Sequence, residues 1–134
     1  MYKKKIIDGY FERTMEYDKR LEYMPNASAG VMIRDVMNGY IAFTLVSYST
    51  GILELIGKRN NDGFEPMYLI VGDVSYSRTT MRHVSAFLKE YLPSYSYHEL
   101  RDIFKSDFTT KAINVNTGRV INRYLDVYEY LSKN

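Results

Sequence analysis

The dipeptide Asn38–Gly39 is the sequence feature that most constrains the fold. It separates two largely apolar runs, one over about residues 31–37 and one over about residues 40–48. A two-residue type I′ hairpin needs positive φ at both central positions, and Asn and Gly adopt that conformation at little steric cost. The sequence therefore predicts two antiparallel strands joined tightly at this dipeptide.

Two further turn signals extend this hairpin into a meander. Residues 49–51 turn or bulge the chain into the apolar run 52–56, and the turn residues 60–63 precede the apolar run 67–71. Short strands joined by short turns pair with their neighbours in an antiparallel orientation. We expect a four-stranded antiparallel meander over about residues 31–71, covered on at least one face because an isolated small sheet is marginally stable.

The chain after the meander has a helical period and supplies that cover. Ser77 is a good N-cap, and Pro93 ends the predicted helix after about residue 92. Ser96 and Glu99 have the spacing of a capping box and open a second, short helix. Residues 112–115 fit a short strand. A last helix is predicted from the apolar residues Val120, Ile121, Tyr124, Leu125, Tyr128 and Leu131.

Residues 6–24 permit two interpretations. Their apolar residues alternate at spacings of three and four, which predicts a helix, but Gly9 and Thr14 disfavour it and a β-hairpin is the alternative. Residues 25–28 break the chain before the meander. Because strands precede helices, we expect one α+β domain over residues 1–134, with a meander of about four strands covered by two to four helices.

The amino-acid composition excludes several functional classes. The 134 residues include no Cys, which excludes disulfides, thiolate metal sites and a Cys nucleophile. No apolar run approaches the roughly 18–20 residues of a membrane span. The basic start at residues 3–5 soon meets Asp8 and Glu12, so it lacks the apolar segment of a signal peptide. We expect a protein of the bacterial host cytoplasm that does not contact membranes.

Motifs for catalysis and cofactor binding were not found in the sequence. It has no Gly-rich phosphate loop, and its two histidines, His83 and His98, lie on different predicted helices. The hydroxyls of Ser75, Ser77, Thr79 and Thr80 precede His83 without a nucleophile elbow, which favours helix capping over nucleophilic catalysis. We expect no catalytic residues, metal or cofactor, and a packed or surface His83 that orients its neighbours.

A basic helix face is the strongest candidate for binding. Arg78, Arg82, Ser85 and Lys89 are four, three and four residues apart, so they share one face of the predicted helix beside its apolar stripe, with Tyr76 just before them. Such a face can hold phosphates or an acidic protein surface, although a solvated helix face is the simpler alternative. On the last predicted helix, Arg119 and Arg123 form a second basic pair.

Part of the chain resembles a known group of proteins. The strand motif Ser47-Tyr48-x-Thr50 and the helix start Tyr76-Ser77-x-Thr79-Thr80-x-x-His83-x-x-x-Phe87-Leu88 are similar to motifs in small phage and plasmid proteins of Gram-positive bacteria. The resemblance covers about two-fifths of the chain and implies a mobile-element origin without an enzyme activity. We interpret Ser77, Thr79, Thr80 and His83 as a structural joint that maintains the fold.

The resemblance also suggests a class of partner. Small phage proteins without catalytic motifs often inhibit a host protein, as anti-CRISPR proteins do, so a CRISPR effector nuclease or its guide complex is one candidate partner. That step is an analogy. The alternative is a nucleic-acid-binding accessory protein that uses the basic helix face, although the net charge of +2 is low for that role. The sequence does not indicate an oligomeric state.

Overall fold

One antiparallel sheet organises the part of the chain that the computed structural model describes, which is residues 2–5, 14–17, 29–47, 50–60, 63–72, 78–104 and 110–133. Within these ranges eight strands pair in the order of the sequence. They are β1 (Tyr2–Lys5), β2 (Thr14–Tyr17), β3 (Ala29–Met37), β4 (Tyr40–Ser47), β5 (Thr50–Asn60), β6 (Gly63–Val71), β7 (Lys111–Asn114) and β8 (Val120–Ile121). The described helices are α1 (Arg78–Tyr91), α2 (Tyr97–Phe104) and α3 (Leu125–Ser132). The α+β class is confirmed, but the sheet has more strands than the four expected.

The predicted turns account for the centre of the sheet. Asn38 and Gly39 have φ values of 50° and 84°, so the β3–β4 hairpin turns at the dipeptide as expected. Asn60 is paired with Gly63, so β5 and β6 pair up to the predicted turn, whose residues 61 and 62 lie outside the described residues. The strand predicted over residues 112–115 is confirmed over 112–114, because β7 begins at Lys111, ends at Asn114 and pairs with β6.

The N-terminal segment follows the hairpin interpretation where it is described. Tyr2 lies opposite Tyr17 and Lys5 opposite Thr14, so β1 and β2 are antiparallel neighbours. Glu16 then pairs with Val31, which adds this hairpin to the edge of β3. The helix predicted over residues 6–24 is therefore wrong at 14–17, and the rest of that range lies outside the described residues.

Both faces of the sheet carry a hydrophobic core, because alternate residues of a strand point to opposite faces. In β5, Leu53 and Leu55 belong to the core beneath α1 and α2, whereas Ile56 belongs to the core beneath α3. Phe87 and Phe104 fill the first core and are fully buried. Val127 and Leu131 of α3 fill the second. The sheet is thus the middle layer between α1–α2 and α3.

The last predicted helix begins later than its apolar pattern indicates. Val120 and Ile121 form β8, in which Ile121 pairs with Ala112 of β7. Gly118, at a φ of 79°, makes the tight return between the two strands. The Asn114 carboxamide oxygen accepts hydrogen bonds from the backbone N–H groups of Asn116 and Thr117, at 3.0 and 3.1 Å. The helix prediction for residues 120 and 121 is therefore wrong, since local turn chemistry overrides their helical spacing.

Candidate binding groove

Helix α1 has two stripes, and only one of them faces the sheet. The buried stripe consists of Thr80, His83, Val84, Phe87 and Leu88. The second stripe lies beside it and repeats at the same helical spacing. It consists of Arg78, Met81, Arg82, Ser85, Ala86 and Lys89. The predicted basic face is this second stripe, interleaved with apolar residues.

The second stripe forms one wall of a groove of about 460 Å³, and the start of α2 forms the other wall with Tyr97 and His98. Ala86 and Tyr97 are buried and Met81 is half-buried, so the floor is largely apolar. The side chains of Arg78, Arg82 and Lys89 are exposed at the rim. We call this feature the α1–α2 groove. It combines an apolar floor with a cationic rim.

The position of α2 follows from the predicted capping box. The Glu99 backbone N–H donates to Ser96 Oγ at 3.2 Å, and the Ser96 backbone N–H donates to Glu99 Oε1 at 3.2 Å. These reciprocal bonds satisfy backbone donors that a helix start leaves unpaired. The Tyr97 and His98 rings meet edge to face, with centroids 5.6 Å apart. The capping box therefore fixes the backbone positions of Tyr97 and His98, the two residues that form this wall.

The permanently charged side chains that line the groove are all cationic. None of the described residues that line it is acidic. From the helical rise, Arg78 and Arg82 are about 6 Å apart along α1, and Lys89 follows about 10 Å further on. Separated cations of this kind attract an acidic partner over roughly 10 Å, the Debye length near 0.1 M salt. The groove therefore favours a ligand with several negative charges rather than one.

The motif residues predicted to be structural are placed in or near the core where they are described. Thr80 is 9% exposed and His83 is fully buried on the sheet side of α1. Burial lowers the pKa of His83 from its ordinary value, because charging the ring would require desolvating it. Tyr76 and Ser77 lie outside the described residues, and for Thr79 only the helical backbone is described. Thr80 and His83 thus face away from the groove.

The second predicted basic pair is neither on a helix nor in the groove. Arg119 is exposed in the β7–β8 turn, and Arg123 lies two residues before Leu125, the first residue of α3. The Arg123 guanidinium donates to Asp126 and, at 3.2 Å, to Glu129. These hydrogen bonds raise the pKa of Arg123 and hold its charge against α3. The interpretation of Arg119 and Arg123 as one helical face is therefore wrong.

Sequence reasoning missed a polar cluster between the sheet and α3. Arg34 Nη2 donates to Glu54 Oε1 at 2.5 Å, and the Tyr128 hydroxyl donates to Glu54 at 2.9 Å. Burial, followed by the charge of Glu54, raises the pKa of Tyr128. A cavity of about 350 Å³ adjoins the pair. The available signal was Glu54 itself, a charge in the otherwise apolar run 52–56.

The described residues do not form a metal-binding site. In residues 2–5, 14–17, 29–47, 50–60, 63–72, 78–104 and 110–133, no three His, Asp or Glu side chains group as metal ligands. None of the helices in those ranges has the length and apolar character needed to cross a membrane.

Comparison with protein-family models, curated proteins and solved structures found no match.

Proposed function

We propose that this chain is a non-enzymatic binding protein of a phage or mobile element that inhibits or modulates a host protein by docking onto it through the α1–α2 groove. The observation that carries the proposal is the cationic rim of Arg78, Arg82 and Lys89 above an apolar floor. Binding sites for macromolecules commonly combine an apolar centre with a polar rim. The mobile-element context rests on the motif resemblance alone.

A protein partner suits the groove better than a nucleic acid. Proteins that hold single strands usually stack bases on exposed aromatic rings, whereas Tyr97 is only 7% exposed and contributes to the core. Strong phosphate binding also favours a markedly basic domain, and the net charge here is only +2. An acidic surface on a host protein matches both the rim and the floor. A CRISPR effector nuclease or its guide complex is one such candidate.

A charge-reversal pair tests this proposal. The groove variant is Arg78→Glu with Arg82→Glu, and the control is Arg59→Glu with Arg119→Glu, two exposed cations outside the groove. Each double variant takes the formal net charge from +2 to −2, so the two differ only in where the charge changes. Exposed charges contribute little to folding, so both variants should unfold at nearly the wild-type temperature.

The measurement is capture of the host partner from lysate, followed by affinity for the captured protein. We expect the groove variant to lose binding by more than about tenfold, since a misplaced like charge at a contact costs several kcal/mol. The control should bind as the wild type does. Equal binding by wild type, groove variant and control would overturn the groove as the docking surface.

Nucleic-acid binding is the second candidate, favoured by the presence of Arg and Lys on one helix face. Affinity for a DNA or RNA oligonucleotide should then fall steeply and linearly with the logarithm of salt concentration. We expect weak oligonucleotide binding in about 0.15 M salt. Tight, salt-dependent binding that the groove variant abolishes would replace the protein partner with a nucleic acid.

A further inference from the structure

We infer that the occupant of the α1–α2 groove is an acidic amphipathic α-helix of the partner protein, lying along α1. The inference rests on the proposed function, because it names the chemistry of the segment that this groove takes. Three observations carry it, namely the helical walls, the spacing of the rim cations and the small residue between them. Each constrains the occupant in a different way.

The walls of the groove disfavour an extended occupant. The described lining residues all belong to α1 and α2, so the groove presents no strand edge to an incoming chain. An extended peptide would lay its own N–H and C=O groups on the apolar floor without main-chain partners, at a cost for each unsatisfied group. A helix satisfies those groups internally. Recognition by a groove between helices therefore favours a helical segment.

The rim cations set the spacing of the acidic residues. Arg78, Arg82 and Lys89 are four and seven residues apart and cover about 16 Å of α1. A partner helix has the same rise per residue, so Asp or Glu residues seven and then four apart would meet all three in an antiparallel arrangement. Antiparallel helices also align their macrodipoles favourably. The matching segment has about three helical turns.

Ser85 indicates where the apolar anchor of the occupant inserts. It is exposed, lies between Arg82 and Lys89, and is flanked by Met81 and Ala86. A small side chain at this position leaves space for a large one from the partner, such as Leu or Phe. The occupant should therefore carry an apolar residue between its acidic positions, on the same face.

Two synthetic peptides of identical composition test the inference. In the matched peptide, three Glu residues are spaced seven and four apart with Leu between them on one helical face. In the permuted peptide, the same Glu residues lie on the opposite face. We expect the matched peptide to bind at least about tenfold tighter by fluorescence anisotropy in about 0.15 M salt.

Variants of the protein complete the test. The double variant Arg78→Glu with Arg82→Glu should no longer bind the matched peptide. It should instead bind a version of that peptide in which each Glu is replaced by Lys. Ser85→Trp should block the matched peptide, whereas Ser94→Trp, at an exposed position outside the groove, should not. Unchanged melting temperatures would show that both Trp variants remain folded.

The outcomes separate this inference from the proposed function. Equal affinity for the two peptides, or tighter binding of a single-stranded oligonucleotide of the same charge, would overturn the helical occupant. Failure of both peptides would also overturn it. If the groove variant nevertheless loses its host partner, the proposed function stands without the helix. If the groove variant keeps its host partner, the proposed function fails.

Discussion

Arg34, Glu54 and Tyr128 form a polar cluster at the boundary between the sheet and α3. The side chains of Arg34 and Glu54 are 15% and 16% exposed, so the pair is largely removed from water. The sequence shows that Glu54 is unusual in an apolar strand, but its partners lie 20 and 74 residues away. Strand register and helix docking decide those contacts, which is why local sequence patterns did not predict them.

Removal of the Tyr128 hydroxyl should weaken this cluster. We expect Tyr128→Phe to lower the free energy of unfolding by about 1.5–3 kcal/mol, the usual value of a hydrogen bond to a charged group. Urea unfolding measures the change. Tyr124→Phe is the control, because Tyr124 packs edge to face on Tyr128 with ring centroids 6.4 Å apart without joining the Glu54 cluster. Equal losses in both variants would show that the Glu54 hydrogen bonds contribute nothing.

The burial of His83 should appear as a pH dependence of stability. Its pKa is lowered in the folded protein from the ordinary 6.5. As pH falls through about 6.5, the unfolded chain takes up a proton at His83 that the folded chain resists, so stability is lost. We expect urea midpoints to fall between about pH 7.5 and pH 5.5 more steeply in the wild type than in His83→Gln. Parallel profiles in the two proteins would contradict this.

At the level of elements, the helices with clear end signals were predictable and β8 was not. Helix α1 has a regular apolar period and Pro93 just beyond its end, and α2 has its capping box. Val120 and Ile121 continue the spacing of α3, but Gly118 and Asn114 build a turn that pairs them with β7. A two-residue strand has almost no period of its own, so its pairing depends on the neighbouring strand.

The packing of α1 on the sheet gives a prediction at this scale. Phe87 is fully buried in the core beneath α1, and its ring lies 5.0 Å from that of Tyr91 between centroids. We expect Phe87→Ala to cost about 3–5 kcal/mol, a large part of the usual total of about 5–15 kcal/mol. Urea unfolding measures it, with Ser85→Ala, at an exposed position of the second stripe of α1, as the control. An unchanged midpoint in Phe87→Ala would show that this stripe does not support the fold.

On the scale of the whole molecule, the sheet joins two helical layers, α1 and α2 on one face and α3 on the other. The sequence predicts that the meander needs cover on at least one face and that the helix after it, α1, supplies that cover. The sequence also predicts α3 as a helix. The face of the sheet that α3 covers depends on the turn between β7 and β8. Strands β4, β5 and β6 contribute to both cores. The groove layer therefore depends on strands that α3 also stabilises.

Loss of packing under α3 should consequently weaken α1 on the far side of the sheet. Leu131 is fully buried against the core that includes Ile56 and Ile70, so Leu131→Ala should cost about 2–5 kcal/mol. If the layers unfold as one unit, the slowest-exchanging amides of α1 should lose at least about tenfold of their hydrogen-exchange protection. The control is Leu125→Ala at a position 43% exposed, which should change little. Protection retained in α1 but lost in α3 would mean that the two layers open independently, and α3 would then contribute nothing to the stability of the groove.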